Sequence, residues 1–395
     1  MVESVSVAGL LNEYKTSFLQ KHPQPAQHLR TLQAIQDCRT PALGGHVHAC
    51  TGCGQVHFSF HSCRNRHCPQ CQHLAREKWV QQRLQDLLPI PYFHVVFTIP
   101  HQLNELCMYY PSQLYDVLFR SAWETIKLLG NDPKRLGAKT GMTAVLHTWG
   151  QNLSLHPHVH CLVPGGGLSK SGKWRKLPYN DKYLFPRKVM QTIFRGKFVS
   201  ALKELHVKGV IKLNKTNWED FKNQLYKKDW VVYAKRPFAG PPQIIKYLGR
   251  YTHRIAISNQ RLIKVEKDKV HFHYKDYRDN KRKIMVLAAT EFLRRFCLHI
   301  LPPGFRRMRH YGLLSNPNKR KALQKAREQL GVQAPEKIDF KKIDWKEFFK
   351  QVKGIDIDKC RHCENGMLVK VGVIPCQRPP PGTGLIWRVL DDLEK

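Results

Sequence analysis

No stretch of this 395-residue chain approaches the apolar length needed to span a bilayer. Met1 to Leu10 also lack the positively charged start and the apolar run of a secretory leader. Both absences lead to the expectation of a soluble cytoplasmic protein without a membrane partner. Acidic residues are scarce, with Asp+Glu 30 against Lys+Arg 66, which leaves a net charge of +36. A protein that binds only a small neutral molecule has no use for such an excess, whereas a polyphosphate partner does. Internal repeats are missing, and the one biased tract is Arg378-Pro379-Pro380-Pro381. Hydrophobic residues make up an ordinary 42%, so the basicity belongs to a folded protein rather than to a disordered tail.

The segment Arg306 to Arg327 concentrates the charge, with eight basic residues and no acidic one. Proteins that bind RNA share this balance, so charge gives the partner class and not the reaction. A reducing compartment disfavours disulfides, and the 12 cysteines, five of them between Cys50 and Cys71, favour metal ligation.

Hydrophobic spacing predicts two helices before residue 40, divided by Pro23 and Pro25. A cysteine- and histidine-rich segment, Gly45 to His73, and a helix near 74–88 follow. The run Phe93-His94-Val95-Val96-Phe97-Thr98-Ile99 reads as a buried strand, and Met142 to Trp149 and His156 to Val163 as two more. Helices are expected at 111–129, 187–206, 217–226 and 290–300, a strand at 230–234, and a hairpin turning at Lys267-Asp268. The organisation expected is a module at 1–85, a catalytic domain at 86–315, and a basic extension with a small cysteine-containing unit at 316–395.

Cys50-x2-Cys53 and Cys68-x2-Cys71, separated by 14 residues, match the four soft ligands that tetrahedral zinc requires. Cys63, His61 and His67 lie near enough to replace one of them. Four thiolates leave no position open for substrate, so such a zinc is structural. Arg64 and Arg66 beside the knuckles suggest that the module faces phosphate, as do Arg306, Arg307 and Arg309 further on. Cys360-x2-Cys363, with Cys376 downstream, is half a motif and a candidate for a second zinc.

Two further motifs carry chemistry. In Leu155-His156-Pro157-His158-Val159-His160, strand periodicity points His158 and His160 to the same side, where two imidazoles can clamp a divalent cation. In Tyr247-Leu248-Gly249-Arg250-Tyr251, helical spacing makes the two phenols neighbours. Alone, each pattern is often mere packing; together on a basic chain they suggest strand transfer of DNA, a metal polarising the phosphate and a tyrosine attacking it.

Phe97-Thr98-Ile99-Pro100, the His156–His160 segment and the Tyr247–Tyr251 segment, in this order, resemble the three motifs of the HUH endonuclease superfamily. The Cys50–Cys71 module, Pro164 to Gly167 and Arg309-His310-Tyr311-Gly312-Leu313-Leu314 narrow the resemblance to its two-tyrosine rolling-circle transposases of the insertion-sequence-ninety-one family. It runs from about residue 25 to 315. It implies an α+β fold, a central antiparallel sheet flanked by helices, with an N-terminal helical and zinc-knuckle module and a small C-terminal unit. It also implies nicking and rejoining of single-stranded DNA at element ends and target site through a 5′-phosphotyrosine, with Tyr247 and Tyr251 as nucleophiles; the cationic Arg250 between them can offset charge on a phenolate or phosphate nearby. The protein would then associate with the nucleoid and use no small-molecule substrate.

Magnesium or manganese takes about six ligands, so His158 and His160 need a third protein donor. Gln151 and His147 are the candidates; a hairpin turning near Leu153 brings Gln151 closest, and its amide oxygen is a hard donor. A non-catalytic zinc-dependent DNA- or RNA-binding regulator would explain the charge and cysteines but not the histidine–tyrosine pairing. A water-activating metallohydrolase would need a (β/α) alternation and clear carboxylates downstream of the His-x-His, which the chain lacks.

Overall fold

The computed structural model describes residues 5–178, 183–214, 216–235, 249, 255–336, 339, 342–363 and 365–377. In chain order the strands are β1 (Gly45–Cys50), β2 (Val56–Phe60), β3 (Tyr92–Thr98), β4 (Gly141–Trp149), β5 (Leu155–Pro164), β6 (Gly166–Leu168) and β7 (Trp174–Lys176). There follow β8 (Val231–Lys235), β9 (Leu262–Glu266), β10 (Lys269–Lys275), β11 (Arg282–Ala288), β12 (Met308–Gly312) and β13 (Leu368–Ile374).

Contacts divide the chain into two units, one of residues 1–72 with 339–395 and one of residues 73–338. This differs from the expected partition at 85 and 315. The helix His73–Leu84 joins the larger unit because Trp79 and Val80 bury there, and the basic helix Lys319–Leu330 joins it through Leu323 and Ala326. The cysteine-containing C-terminal segment is no separate unit; it completes the N-terminal one.

The larger unit is built on a five-stranded sheet in the order β12-β4-β5-β3-β8, antiparallel throughout. Every residue of β4 is buried, which marks a central strand covered on both faces. Alternation sends Phe93, Val95, Phe97, Met142, Ala144, Leu146, Val159, Cys161 and Val163 to one face. The helices Pro111–Asn131 and Arg187–Val207 cover it with stripes at helical spacing, Leu114, Leu118, Ile126 and Leu129 from the first and Met190, Phe194, Phe198 and Leu202 from the second. Phe194 sits 4.9 Å from Phe97 between ring centroids. The other face carries Tyr92 and Leu162, packed with Trp79, Val80 and Leu314. A separate sheet, β11-β10-β9, turns at Lys267 and Asp268, whose φ angles of 47° and 59° are those of a tight hairpin turn.

In the smaller unit, the helices Val7–Lys21 and Ala26–Gln36 precede the hairpin β1–β2, and β13 adds to the free edge of β1. The antiparallel sheet flanked by helices agrees with the fold expected; the strand addition from the far end of the chain is new.

Candidate active site and cysteine clusters

Register brings the histidines together. β4 and β5 pair so that His147 stands opposite His158 and Val145 opposite His160. Paired residues share a face, so three imidazoles converge on the side of the sheet away from the main core. Their ligand nitrogens all lie within 4.8 Å of one another. The His147 ring is 4.5 Å from that of His160 and stacks on Trp149 at 4.7 Å. His147 and His160 are buried, while His158 is half-buried and marks the open side.

The hydrogen bonds orient the rings. His158 Nδ1 donates to the His156 carbonyl at 2.7 Å, which leaves Nε2 with its lone pair in the neutral ring. His160 Nδ1 lies 2.9 Å from Nε2 of His94, a parallel ring on β3. When His160 is the donor of that bond, its own Nε2 faces Nε2 of His158 at 3.2 Å with a second lone pair. Two facing lone pairs repel unless a cation lies beside both, so the donor set fits a divalent metal. His94 acts one layer out, through His160.

Of the two candidates for a third donor, register brings His147 beside His158 and His160. The turn does fall at Leu153 (φ 62°), but pairing ends at Trp149–Leu155 and leaves Gln151 inside the turn, beyond the face. Its amide nitrogen donates to the Tyr277 hydroxyl at 3.2 Å. Consecutive carbonyls of this turn are held in turn: Gln151 by Arg261, Asn152 by Arg295 and Leu153 by Nε2 of His299. His147, opposite His158, is the residue that register supplies instead.

Two neutral histidines border the site. His299 bonds Leu153 through Nε2 and Thr148 through Nδ1, and burial pushes its pKa down to about 4. His310, on β12 opposite Thr143, bonds the Thr143 hydroxyl at 2.9 Å; burial, with Arg83 next to it, pushes it down to about 4 as well.

Tyr247, Tyr251 and Arg250 lie outside the described residues. Gly249 between them is described: a Cβ there would meet Val80 Cγ2 at 2.4 Å. The glycine therefore serves a close approach to the helix His73–Leu84. Of the arginines expected on phosphate, Arg64 and Arg306 are exposed and Arg66 is half-buried against His67. Arg307 is buried, and Arg309 pairs with Asp116 and stacks on Phe119 and Phe305, so these two are held within the fold.

The cysteines also regroup. The set Cys50, Cys53, Cys68 and Cys71 is not brought together. Cys68 and Cys71 join Cys63 and Cys38, and Cys50 and Cys53 join Cys360 and Cys363. Cys376 belongs to neither cluster; its thiol donates to the Ala42 carbonyl at 3.3 Å. The reason is geometric: β1 and β2 carry the first knuckle away from the second, and Cys38, at the end of the helix Ala26–Gln36, takes its place. Tetrahedral zinc with bonds of about 2.3 Å spaces its sulfurs by about 3.8 Å. Cys63 and Cys71 Sγ atoms are 3.7 Å apart, far from the roughly 2.05 Å of a disulfide. Amides of Asn65 and Gln70 point at the sulfurs of Cys63 and Cys68, and bonds from Cys63, Cys68 and Cys71 hold Cys38 well below the ordinary thiol range. This cluster fits a structural zinc. Cys38 was within reach of sequence reading only as an isolated cysteine, with no x2 partner to draw attention to it.

An antiparallel sheet with three histidines converging on one face, together with a cysteine-rich module, is the arrangement that the sequence resemblance implies. Residues 141–322 match the family model described as "Putative transposase", and residues 10–99 match that of the "Transposase zinc-binding domain". The chain is 40% identical over 388 residues to "Putative transposase y4qJ" of Sinorhizobium fredii (strain NBRC 101917 / NGR234), covering 95% of this chain and 97% of that one. It is 28% identical over 312 residues to "Transposase for insertion sequence element IS801" of Pseudomonas savastanoi pv. phaseolicola, covering 78% and 75%. No solved structure matches. The chain belongs to the insertion-sequence-ninety-one family of transposases and carries that family's N-terminal zinc-binding domain. It is thus a DNA-cleaving enzyme. No helix among the described residues is long and apolar enough to cross a membrane.

Proposed function

We propose that the protein cuts and rejoins single-stranded DNA at the ends of its element through a 5′-phosphotyrosine, with Tyr247 and Tyr251 as nucleophiles. The observation that carries this reading is the convergence of His147, His158 and His160 on one sheet face. A bound divalent cation would supply Lewis-acid polarisation of the scissile phosphate. His147, His158 and His160 would hold it, with His94 orienting His160. Three imidazoles and no carboxylate make a softer set than the one expected with Gln151, and favour Mn²⁺ over Mg²⁺.

The phenol oxygen forms its bond to phosphorus as the P–O3′ bond breaks, and the phenol's proton ends on the released 3′-hydroxyl. One ester replaces another, so rejoining by the reverse step needs no external energy source. Two tyrosines allow donor and target strands to be held at once. Gly249 supports the assignment, because Val80, which it approaches, belongs to the cluster on the histidine face.

The test is incubation with single-stranded element ends and Mn²⁺. An adduct that survives denaturation and maps to Tyr247 or Tyr251 is expected. Either single Phe replacement should keep some nicking and fail at full strand transfer. An adduct from the Tyr247→Phe, Tyr251→Phe double variant would assign the nucleophile elsewhere, and cleavage by the unaltered protein without any adduct would refute the phosphotyrosine step.

A further inference from the structure

We infer that Cys50, Cys53, Cys360 and Cys363 form a second structural zinc site, in which the first knuckle of the chain and a knuckle more than 300 residues later are two halves of one tetrahedron. Cys360 and Cys363 lie outside both regions matched by the family models.

Several independent features meet here. The Sγ atoms of Cys50 and Cys363 are 3.5 Å apart and those of Cys53 and Cys360 are 3.9 Å apart, the spacing of thiolates around one zinc and too long for disulfides. Each half is a knuckle whose amides turn inward. Gly52 and Cys53 donate to Cys50 Sγ at 3.3 and 3.5 Å, and His362 donates to Cys360 Sγ at 3.4 Å. Such N–H···S bonds stabilise a thiolate and have no comparable value to an uncharged thiol.

The backbone of each knuckle is fastened to the other. Thr51 donates to the Met367 carbonyl at 3.0 Å, and Met367 donates to the Thr51 hydroxyl at 3.1 Å. Two glycines keep the interior free. A Cβ on Gly366 would lie 2.1 Å from Cys50 Sγ and 2.7 Å from Cys363 Sγ, and one on Gly52 would crowd Gly366 itself. His57 Nε2, 3.7 Å from Cys360 Sγ, adds an outer partner. Without a cation, this much sulfur held at van der Waals distance has little to hold it there; with one, every part has a role.

Pairing of Cys50 with Leu368 in the β1–β13 ladder brings the two knuckles together at the end of the added strand. A metal cross-link between segments so far apart in sequence removes much of the freedom of the unfolded chain. The second zinc therefore acts as a clasp that keeps β13 and the helix Trp345–Lys353 on the N-terminal module. That helix is tied to the same knuckle by Lys346 with Asp358 and Lys350 with Asp356.

Full-length protein purified without chelator should contain about two equivalents of zinc per chain, one for each tetrahedral set. Cys360→Ser with Cys363→Ser should lose one, Cys68→Ser with Cys71→Ser the other, and Cys376→Ser neither. If the paired variants do not fold, the unaltered protein decides alone. Cys53 and Cys376 are both exposed, so an alkylating reagent distinguishes them. Zinc ligation protects Cys53 while Cys376 reacts, and a strong chelator abolishes the protection. Labelling of Cys53 as fast as Cys376 before chelation, a single zinc per chain, or a Cys50–Cys363 disulfide in a non-reduced digest would each overturn the inference.

Discussion

At the scale of single residues, the grouping of His147 with His158 and His160 separates the two candidate donors by experiment. His147→Ala should lower cleavage about as far as His158→Ala, on the order of 10³-fold, since each removes a donor from the cation. Gln151→Ala should keep cleavage within a few-fold. His94→Ala acts through His160 and should weaken metal affinity by roughly 10–100-fold while saturating Mn²⁺ restores the rate. In all four variants the affinity for DNA, read by filter retention, should change little, because it arises from many basic residues. If Gln151→Ala loses cleavage and His147→Ala keeps it, the third donor is Gln151 and not His147. His299 and His310 set a second expectation. Both have a folded-state pKa of about 4, below the ordinary 6.5, so the unfolded chain binds more protons between these values. Stability should therefore be full above pH 6.5 and fall as the pH drops toward 4, by on the order of 1–3 kcal/mol for each buried ring. Thermal melts of His310→Gln, which keeps a partner for Thr143 and Arg83, should show a shallower fall over that window.

Among the elements, Gly249 offers the sharpest test. Alanine is about 1 kcal/mol better than glycine inside a helix, yet here its Cβ would overlap Val80, whose β-branched side chain has little room to turn away. Gly249→Ala should destabilise by about 1–3 kcal/mol, and in a Val80→Ala background the same change should become neutral or stabilising. A melt that shows no difference between the two backgrounds would refute the contact. This contrast explains what the sequence could tell. Periodicity alone predicts β3, β4, β5, the long helices and the β9–β10 turn, because each answers to local spacing. β1 and β2 were hidden, since half-exposed histidines and a cysteine knuckle interrupt their alternation. The pairing of His147 with His158 depends on where the bulge between His147 and Trp149 falls, and no local pattern reports that. The sharing of cysteines between sites is likewise a tertiary fact: eight thiols in reach can be divided in many ways, and only the path of β1 and β13 chooses.

For the whole molecule, the net charge of +36 predicts how DNA binding responds to salt. Contact with six to ten phosphates would cost on the order of 10³–10⁵ in affinity between roughly 50 and 200 mM salt, somewhat less on single strands. Arg64→Ala and Arg306→Ala should each flatten that dependence, whereas Arg307→Ala and Arg309→Ala should instead lower the melting temperature. The order of the chain adds a further consequence. The larger unit lies, in sequence, between the two segments that build the smaller one, so β1 emerges from the ribosome long before β13 exists to pair with it. At roughly 5–20 residues per second, the open edge of β1 and the half-knuckle at Cys50 and Cys53 wait tens of seconds for their other half. A chain cut short before the far knuckle would carry the histidines without the completed knuckle. Only a chain read through to its far knuckle therefore acquires the completed β13-β1-β2 sheet.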